Sequence, residues 1–276
     1  MEKSTKDFLL DGMTWSFSRV NSYETCPRMW FLEYLECQKK SGNAFAEWGS
    51  LCHSLFERYY KGELEFYQLA KVYKDEYEEA VESPFPFKKM ADGYYSNGLE
   101  FFSTFEGQYH DYEIVGVEQR VEMEIGGRKF IGYIDLLLRK DGEFYVVDFK
   151  SKSKFKSDEE KRHYALQLYI YAEYVKEKYG KYPVGMEFNM FRARTHEAVV
   201  FEMTEMENAK AWFEQTIQAI YEDEEFAPKP DEWFCKQLCS VSEHCKYGKK
   251  EEKEAVKSKY AGRSRAHRTG KRKTGR

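Results

Sequence analysis

The chain has 276 residues, of which 17% are aromatic, and a formal net charge of −4. This aromatic content exceeds that of solvated disordered chains, so the sequence predicts a folded protein with an extensive core. Between Lys257 and Arg276 there are nine Lys and Arg residues and no Asp or Glu. We interpret 1–250 as the folded part and 251–276 as a basic, disordered tail. Such a tail favours binding to nucleic acid or another anionic surface, and the alternative is a tail that only solubilises.

The sequence contains no segment near the roughly 20 apolar residues of a membrane span. The stretch MEKSTKDFLLDGMTW lacks the basic and apolar regions of a signal peptide. We therefore expect a cytoplasmic protein without a membrane partner. In a reducing compartment, its six cysteines indicate free thiols or metal ligands and not disulfides.

The first hundred residues have the apolar spacing of helices. The segment TWSFSRVNSYETCPRMWFLEYLE predicts a helix capped by Thr14 or Ser16 and broken at Cys26 before a second helix. A further helix, NAFAEWGSLCHSLFERYYKGE, carries His53. An aromatic-rich helical region follows to about residue 107.

From Glu113 the apolar period changes from 3.6 to 2. Three strands are predicted, EIVGVEQRVEMEI, KFIGYIDLLLR and EFYVVDFK, and the short turns at Gly126-Gly127 and Asp141-Gly142 require an antiparallel meander. The segment RHYALQLYIYAEYVKEKYGK predicts an amphipathic helix, followed by strands in VGMEFNMFRAR and EAVVFEM and a last helix in NAKAWFEQTIQAIYEDEE. This order predicts an α+β fold in which helices cover a mixed sheet.

Two aspartates and a lysine interrupt the apolar strands of the meander. Asp148 and Lys150 are two residues apart on one strand, so their side chains leave the same face, and the neighbouring strand carries Asp135. A lysine and one aspartate could form a buried ion pair, whereas a second carboxylate favours a divalent cation. Oxygen ligands suit Mg²⁺ or Mn²⁺, and a lysine beside such an ion favours phosphodiester hydrolysis. Glu118 could also reach the ion, but the alternation of its strand does not decide this.

These motifs resemble those of the PD-(D/E)XK nuclease superfamily. GYID followed by VVDFKSK is similar to its active-site strands, WGSLCHSLFE to the RecB-type histidine motif, and ALQLYIYAEY to the Gln-x-x-x-Tyr motif of the same group. The resemblance extends from about Trp15 to Tyr247 and implies a RecB-like nuclease domain with a restriction-endonuclease-like core. One departure is that no proline precedes the first aspartate.

The resemblance also implies roles for individual residues. The lysine would be catalytic, and the glutamine and tyrosine would contact it or the DNA backbone. The implied ligands of Mg²⁺ or Mn²⁺ are His53, Asp135, Asp148 and the backbone carbonyl of Phe149. The implied catalytic residues are Asp135, Asp148, Lys150, Gln167 and Tyr171.

Three cysteines lie close together near the C-terminus. Cys235, Cys239 and Cys245 fall within eleven residues, which favours a metal site whose fourth ligand comes from elsewhere, and Cys26 is the candidate. This layout resembles the iron–sulfur branch of RecB-like nucleases, which includes the AddB nuclease domain and the CRISPR-associated RecB-like exonucleases. The resemblance implies a 4Fe-4S cluster that joins the two ends of the domain. A zinc site with four thiolates is the alternative, because spacing excludes neither.

The sequence thus predicts a metal-dependent DNA nuclease, an exonuclease acting on ends or single strands in recombination, repair or phage replication. The alternatives are a structure-specific endonuclease or nickase of the same fold and a DNA-binding protein that does not cleave. Lys152, Lys154 and Lys156 suit a phosphate-binding groove and equally a solvated loop. Because the chain has no Gly-x-x-x-x-Gly-Lys-Ser/Thr motif, we expect it to need single-stranded or resected DNA, or a helicase or recombination partner. Its similarity to stand-alone nucleases implies a prokaryotic or phage-infected cell.

Overall fold

The computed structural model of the protein describes residues 5–248, and the predicted basic tail lies outside the described residues. Within that range, no helix is both long and apolar enough to cross a membrane. The helices are α1 (Thr5–Asp11), α2 (Phe17–Thr25), α3 (Pro27–Tyr34), α4 (Ala44–Tyr60), α5 (Phe66–Ala80), α6 (Lys88–Thr104), α7 (Asp158–Tyr179), α8 (Met203–Glu222) and α9 (Glu232–Gln237). The strands are β1 (Glu113–Ile125), β2 (Arg128–Lys140), β3 (Glu143–Phe149), β4 (Gly185–Met190) and β5 (Thr195–Val199).

The chain divides into two compact units. The described part of the first unit comprises 5–41 and 108–248 and contains the sheet. The described part of the second unit is the continuous segment Gly42–Gly107, which is helical and consists of α4, α5 and α6.

The five strands form one mixed sheet in the order β1-β2-β3-β4-β5. The first three are an antiparallel meander, α7 connects β3 to the parallel strand β4, and β5 is antiparallel to β4. The predicted α+β fold with helices covering a mixed sheet is therefore confirmed.

The predicted and observed boundaries of the elements differ most at the starts of helices. Ser157 caps α7 by accepting a hydrogen bond from the backbone N–H of Glu160, so this helix starts a turn earlier than the apolar pattern indicates. The strand predicted in EAVVFEM ends at Val199, and its last residue, Met203, already begins α8. Glu205 in the first turn of α8 favours this early start through the helix dipole. No pattern predicts α1, because a seven-residue helix with one buried side chain has too little periodicity.

Aromatic side chains make much of the core between the sheet and its helices. The Trp30 ring is stacked between Trp15, at 6.2 Å between centroids, and Phe226, at 5.8 Å. Trp15 is also joined to β2, because its N–H donates to Lys129 O and its carbonyl accepts from the N–H of Ile131, each at 2.8 Å. Burial of each such ring contributes about 1.5–3 kcal/mol, so this stack fastens the N-terminal segment to the sheet.

The helical unit packs around the buried ring of Tyr73 on α5. Its hydroxyl accepts a hydrogen bond from Trp48 Nε1 at 2.9 Å and donates one to Tyr95 O at 3.1 Å. Gly98 on α6 lies against this ring, and a Cβ atom added there would be 2.4 Å from the Tyr73 hydroxyl oxygen. The close approach of α5 and α6 therefore depends on a residue without a side chain.

We expect Gly98→Ala to lower the free energy of unfolding by roughly 1–2 kcal/mol, because the cost of overpacking exceeds the gain in helix propensity. Gly93→Ala on the same helix is the matched control, since an added Cβ meets nothing within 4 Å there. That control should be neutral or more stable by up to about 1 kcal/mol. Urea unfolding followed by circular dichroism measures both, and a Gly98→Ala protein as stable as Gly93→Ala would contradict the packing.

Candidate active site

Three carboxylates lie in one row across the meander. In the pairing of β1 with β2, Glu118 and Asp135 occupy the step between the pairs Val117–Leu136 and Gln119–Ile134. A carboxylate oxygen of Glu118 lies within 4.8 Å of one of Asp135. The β2–β3 register pairs Leu136 with Val147, so its next step places Asp135 beside Asp148. The predicted pair of aspartates is therefore extended by a third carboxylate on β1.

The sheet is irregular at the height of this row. Glu118 has φ +48°, a left-handed conformation that costs a residue with a side chain about 1–3 kcal/mol. On the facing strand, Ile134 and Leu137 are both fully buried in the same core although residues three apart point to opposite faces of a regular strand. The alternation that predicts side-chain direction thus fails where the carboxylates meet, which is why the sequence leaves Glu118 undecided.

Asp135 is half-buried and accepts a hydrogen bond from the backbone N–H of Phe149 at 2.6 Å. Burial and the charge of Asp148 raise the pKa of Asp135 well above its ordinary value, more than Lys150 and the Phe149 N–H lower it. Without a cation, the ionised form of Asp135 is therefore disfavoured. The N–H of Phe149 is the backbone group that contacts Asp135, and its carbonyl as a metal ligand stays a prediction.

Asp148 is the most deeply buried of the three carboxylates, at 4% exposed. Its Oδ2 lies 2.7 Å from Lys150 Nζ, as an ion pair, but has no donor in hydrogen-bond geometry within the described residues. Burial alone would lower the pKa of Lys150, and attraction to Asp148 outweighs it, so that its pKa is raised and the ammonium form is favoured. The lysine balances one negative charge of the row and leaves two.

Lys150 is joined to α7 by a directed set of hydrogen bonds. Its ammonium donates to Gln167 Oε1 at 3.4 Å, and Gln167 Nε2 donates to the hydroxyl of Tyr171 at 2.9 Å. The same hydroxyl accepts from the N–H of Tyr133 on β2 at 3.3 Å. The structure therefore brings Gln167 and Tyr171 to the lysine, with Gln167 in direct contact and Tyr171 behind it.

Gly132 allows Tyr171 to reach this position. A Cβ atom at residue 132 would be 2.8 Å from Cε1 and 3.0 Å from the hydroxyl oxygen of Tyr171. The Tyr171 side chain is 3% exposed and packed in the main core, so it has little room to move. The absence of a side chain at Gly132, the glycine of the GYID motif, thus leaves the space that Tyr171 occupies beside β2.

His53 lies on α4 of the helical unit and is half-buried. Its assignment as a metal ligand stays a prediction that rests on the resemblance of WGSLCHSLFE to the RecB-type motif.

The carboxylate row suits a hard divalent cation. It provides oxygen ligands from three strands, and Lys150 compensates only part of the negative charge. Mg²⁺ or Mn²⁺ would also relieve the repulsion that raises the pKa of Asp135.

The four predicted cysteine ligands line one cleft of the first unit. Cys26 precedes Pro27 at the start of α3, Cys235 is on α9, and Cys239 and Cys245 follow. Burial and the other three thiols raise the pKa of Cys239 to about 11, more than a hydrogen bond from the N–H of Val241 lowers it. The sulfur of Cys26 accepts from the N–H of Lys229 at 3.5 Å. The structure therefore brings Cys26 together with the C-terminal three, and their role as metal ligands stays a prediction.

Which group these cysteines hold, a zinc ion or a 4Fe-4S cluster, stays a prediction.

Comparison with known proteins bears on the family and the fold. The profile of the PD-(D/E)XK nuclease superfamily matches residues 14–246. A crystal structure from Eubacterium rectale, provisionally described as an exonuclease, shares the fold with a TM-score of 0.54 and 15% sequence identity. The alignment covers 92% of this chain and 97% of that chain. No curated protein matches the sequence.

We expect Asp135→Asn to raise the free energy of unfolding of the metal-free protein by roughly 1–2 kcal/mol, because it removes a disfavoured charge and can still accept from the Phe149 N–H. Because folding raises the pKa of Asp135, the wild type loses stability as the pH rises above the ordinary pKa of an aspartate. The advantage of Asp135→Asn over the wild type should therefore be present at neutral pH and shrink as the pH is lowered. Thermal unfolding in EDTA measures the effect.

The same variant should lose the stabilisation by Mg²⁺ or Mn²⁺ that the wild type shows, about 2.7 kcal/mol at a hundredfold excess over Kd. Glu122→Gln, at an exposed carboxylate of β1, is the control and should change neither quantity. Retention of the full metal response by Asp135→Asn would remove Asp135 from the proposed ligands.

Proposed function

Because the chain belongs to the PD-(D/E)XK nuclease superfamily, we propose that it is a metal-dependent DNA nuclease that hydrolyses phosphodiester bonds at DNA ends or in single strands. The observation that carries the proposal is the row of three carboxylates with one half-buried lysine beside it. The structural relative described as an exonuclease supports action at ends. RNA remains the other nucleic acid that the same chemistry would cleave.

The carboxylates of Glu118, Asp135 and Asp148 would hold Mg²⁺ or Mn²⁺, with His53 and the carbonyl of Phe149 as further proposed ligands. When bound, such an ion lowers the pKa of water and offsets negative charge on phosphate oxygens.

The protein's own contribution centres on Lys150. Its ammonium, kept charged by Asp148, is placed to stabilise negative charge that develops on the phosphate during hydrolysis. Gln167 accepts a hydrogen bond from the ammonium and Tyr171 orients Gln167, so these two residues limit the directions that the lysine can adopt. This support reduces the reorganisation needed at the moment of reaction.

We propose that Cys26, Cys235, Cys239 and Cys245 hold a 4Fe-4S cluster, as in the iron–sulfur branch of RecB-like nucleases. All four cysteines line one cleft, and the N–H groups of Lys229 and Val241 are directed at two of the sulfurs, which supports a site for metal-bound thiolates. The cluster would join segments about 200 residues apart and so remove much of the entropy of the unfolded chain. Thiolate ligands of this kind persist in a reducing compartment, which supports a cytoplasmic location.

The proposed role is recombination, repair or phage replication, with a helicase or recombination protein as partner. A partner would supply the single strand or resected end.

Lys150→Ala should lower kcat for cleavage of end-labelled DNA by about 10²- to 10⁴-fold. The assay compares single-stranded and duplex DNA in Mn²⁺, Mg²⁺ or EDTA, with anaerobically purified protein. Lys129→Ala, at an exposed lysine of β2, is the matched control and should cleave at the wild-type rate. Because the variant leaves Asp148 without its cation, circular dichroism and Mn²⁺ binding must show that it is folded.

Cleavage of linear DNA but not of a closed circle would support an exonuclease. Cleavage of the circle would indicate the endonuclease or nickase alternative. Absence of cleavage by cluster-replete wild type on both substrates would contradict the nuclease and leave the DNA-binding protein.

Cys26→Ser should lose most of the bound iron and acid-labile sulfide and unfold at a lower temperature than the wild type. Cys37→Ser, at an exposed cysteine outside the cleft, should retain both. Metal and sulfide analysis of anaerobically purified protein decides the point, and stoichiometric zinc without sulfide would contradict the cluster.

A further inference from the structure

The segment 151–157 after the catalytic strand follows a fixed course against α7. Phe155 packs between the rings of Tyr164, at 5.6 Å between centroids, and Phe188, at 5.1 Å. At the end of the segment, Ser157 caps α7 by accepting from the N–H of Glu160 at 3.2 Å. These contacts differ from those of a solvated loop, which was one of the two interpretations of its lysines.

The lysines of this segment are not equivalent. The side chain of Lys152 is 26% exposed, and its Nζ lies 2.8 Å from Glu160 Oε1 and 4.3 Å from the centre of the Tyr164 ring. Lys154 is exposed and forms no ion pair within the described part of the chain. Lys152 is therefore the preorganised cation of the segment.

Lys152 and the catalytic lysine share one aromatic ring. Lys150 Nζ lies 5.4 Å from the centre of the Tyr164 ring, so both ammonium groups are within that distance of the same point. Because both ammonium groups lie beside one ring, they can contact neighbouring phosphates of one strand more readily than distant ones. The ring attracts each ammonium and so limits how far apart the two can lie.

We propose that Lys152 binds the phosphate next to the one that is cleaved, and that Tyr164 is the positioning residue that holds Lys152 beside Lys150. This inference rests on the proposed nuclease function. Glu160 holds Lys152 in place before substrate arrives, because its carboxylate accepts from Lys152 Nζ and from the N–H of Lys156. Partly exposed ion pairs contribute little net free energy, so the exchange of this carboxylate for a DNA phosphate is feasible.

The test is the binding of a labelled single-stranded oligonucleotide in EDTA, where cleavage is blocked, as a function of salt. Lys152→Gln should weaken binding about five-fold at 0.1 M salt and reduce the salt slope by about 0.7, the effect of one lost phosphate contact. Lys154→Gln removes the same charge from the same segment and should change the slope less. In Mg²⁺ or Mn²⁺, Lys152→Gln should raise KM more than it lowers kcat.

Glu160→Gln separates a phosphate contact from a structural ion pair. If Lys152 binds phosphate, this variant should bind DNA as well as or better than the wild type, because the ammonium loses its competitor. Tyr164→Phe should keep wild-type binding and Tyr164→Leu should lose the contribution of Lys152.

Equal slopes for Lys152→Gln and Lys154→Gln would overturn the inference. So would a Glu160→Gln protein that binds as weakly as Lys152→Gln, since the pair would then only shape the segment. A wild type that binds through Lys152 but never cleaves would contradict the nuclease and leave the phosphate contact standing. Cleavage by the wild type, together with no effect of Lys152→Gln on DNA binding, would contradict the phosphate contact and leave the nuclease function standing.

Discussion

The crowding of negative charge across β1, β2 and β3 is the constraint on which the candidate site depends. Asp148 is almost completely buried, Asp135 is held beside it by the strand register, and Glu118 adds a third carboxylate from the next strand. One ammonium, that of Lys150, compensates part of this charge. The remaining negative charge has a cost in stability, which the proposed divalent cation would offset.

The surroundings of the lysine follow from the same constraint. The Lys150 ammonium is attracted by both Asp148 and Asp135, and the Gln167 side chain restricts it because its amide is itself held by Tyr171. Tyr171 fits because residue 132 has no side chain. A packing feature of β2 is thereby coupled to the direction of a charged group on β3.

Much of the fold could be predicted because short turns leave few choices. The two residues at Asp141-Gly142 require β2 and β3 to be antiparallel neighbours, which brings Asp135 beside Asp148. The four-residue spacing of Gln167 and Tyr171 places both on one face of a helix whose type was evident from its length. The confirmed α+β class rests on elements of this kind.

Other features could not be predicted, each for a physical reason. Glu118 lies where the backbone leaves the strand conformation, so a period of two does not give its direction. The environment of Lys152 depends on Glu160, in a helical turn that begins ahead of the apolar pattern. The distances between the cysteine sulfurs depend on the tertiary structure, so the spacing of the cysteines along the sequence does not give them.

The two units also differ in when they can form during synthesis. The helical unit is continuous from Gly42 to Gly107, whereas the sheet unit includes both Cys26 and the cysteines that follow α8. At about 5–20 residues per second, the ribosome delivers Cys235 roughly 10–40 s after Cys26. Cys26 is thus synthesised before the helical unit, and the cleft can be completed only after Cys245 has been added to the chain.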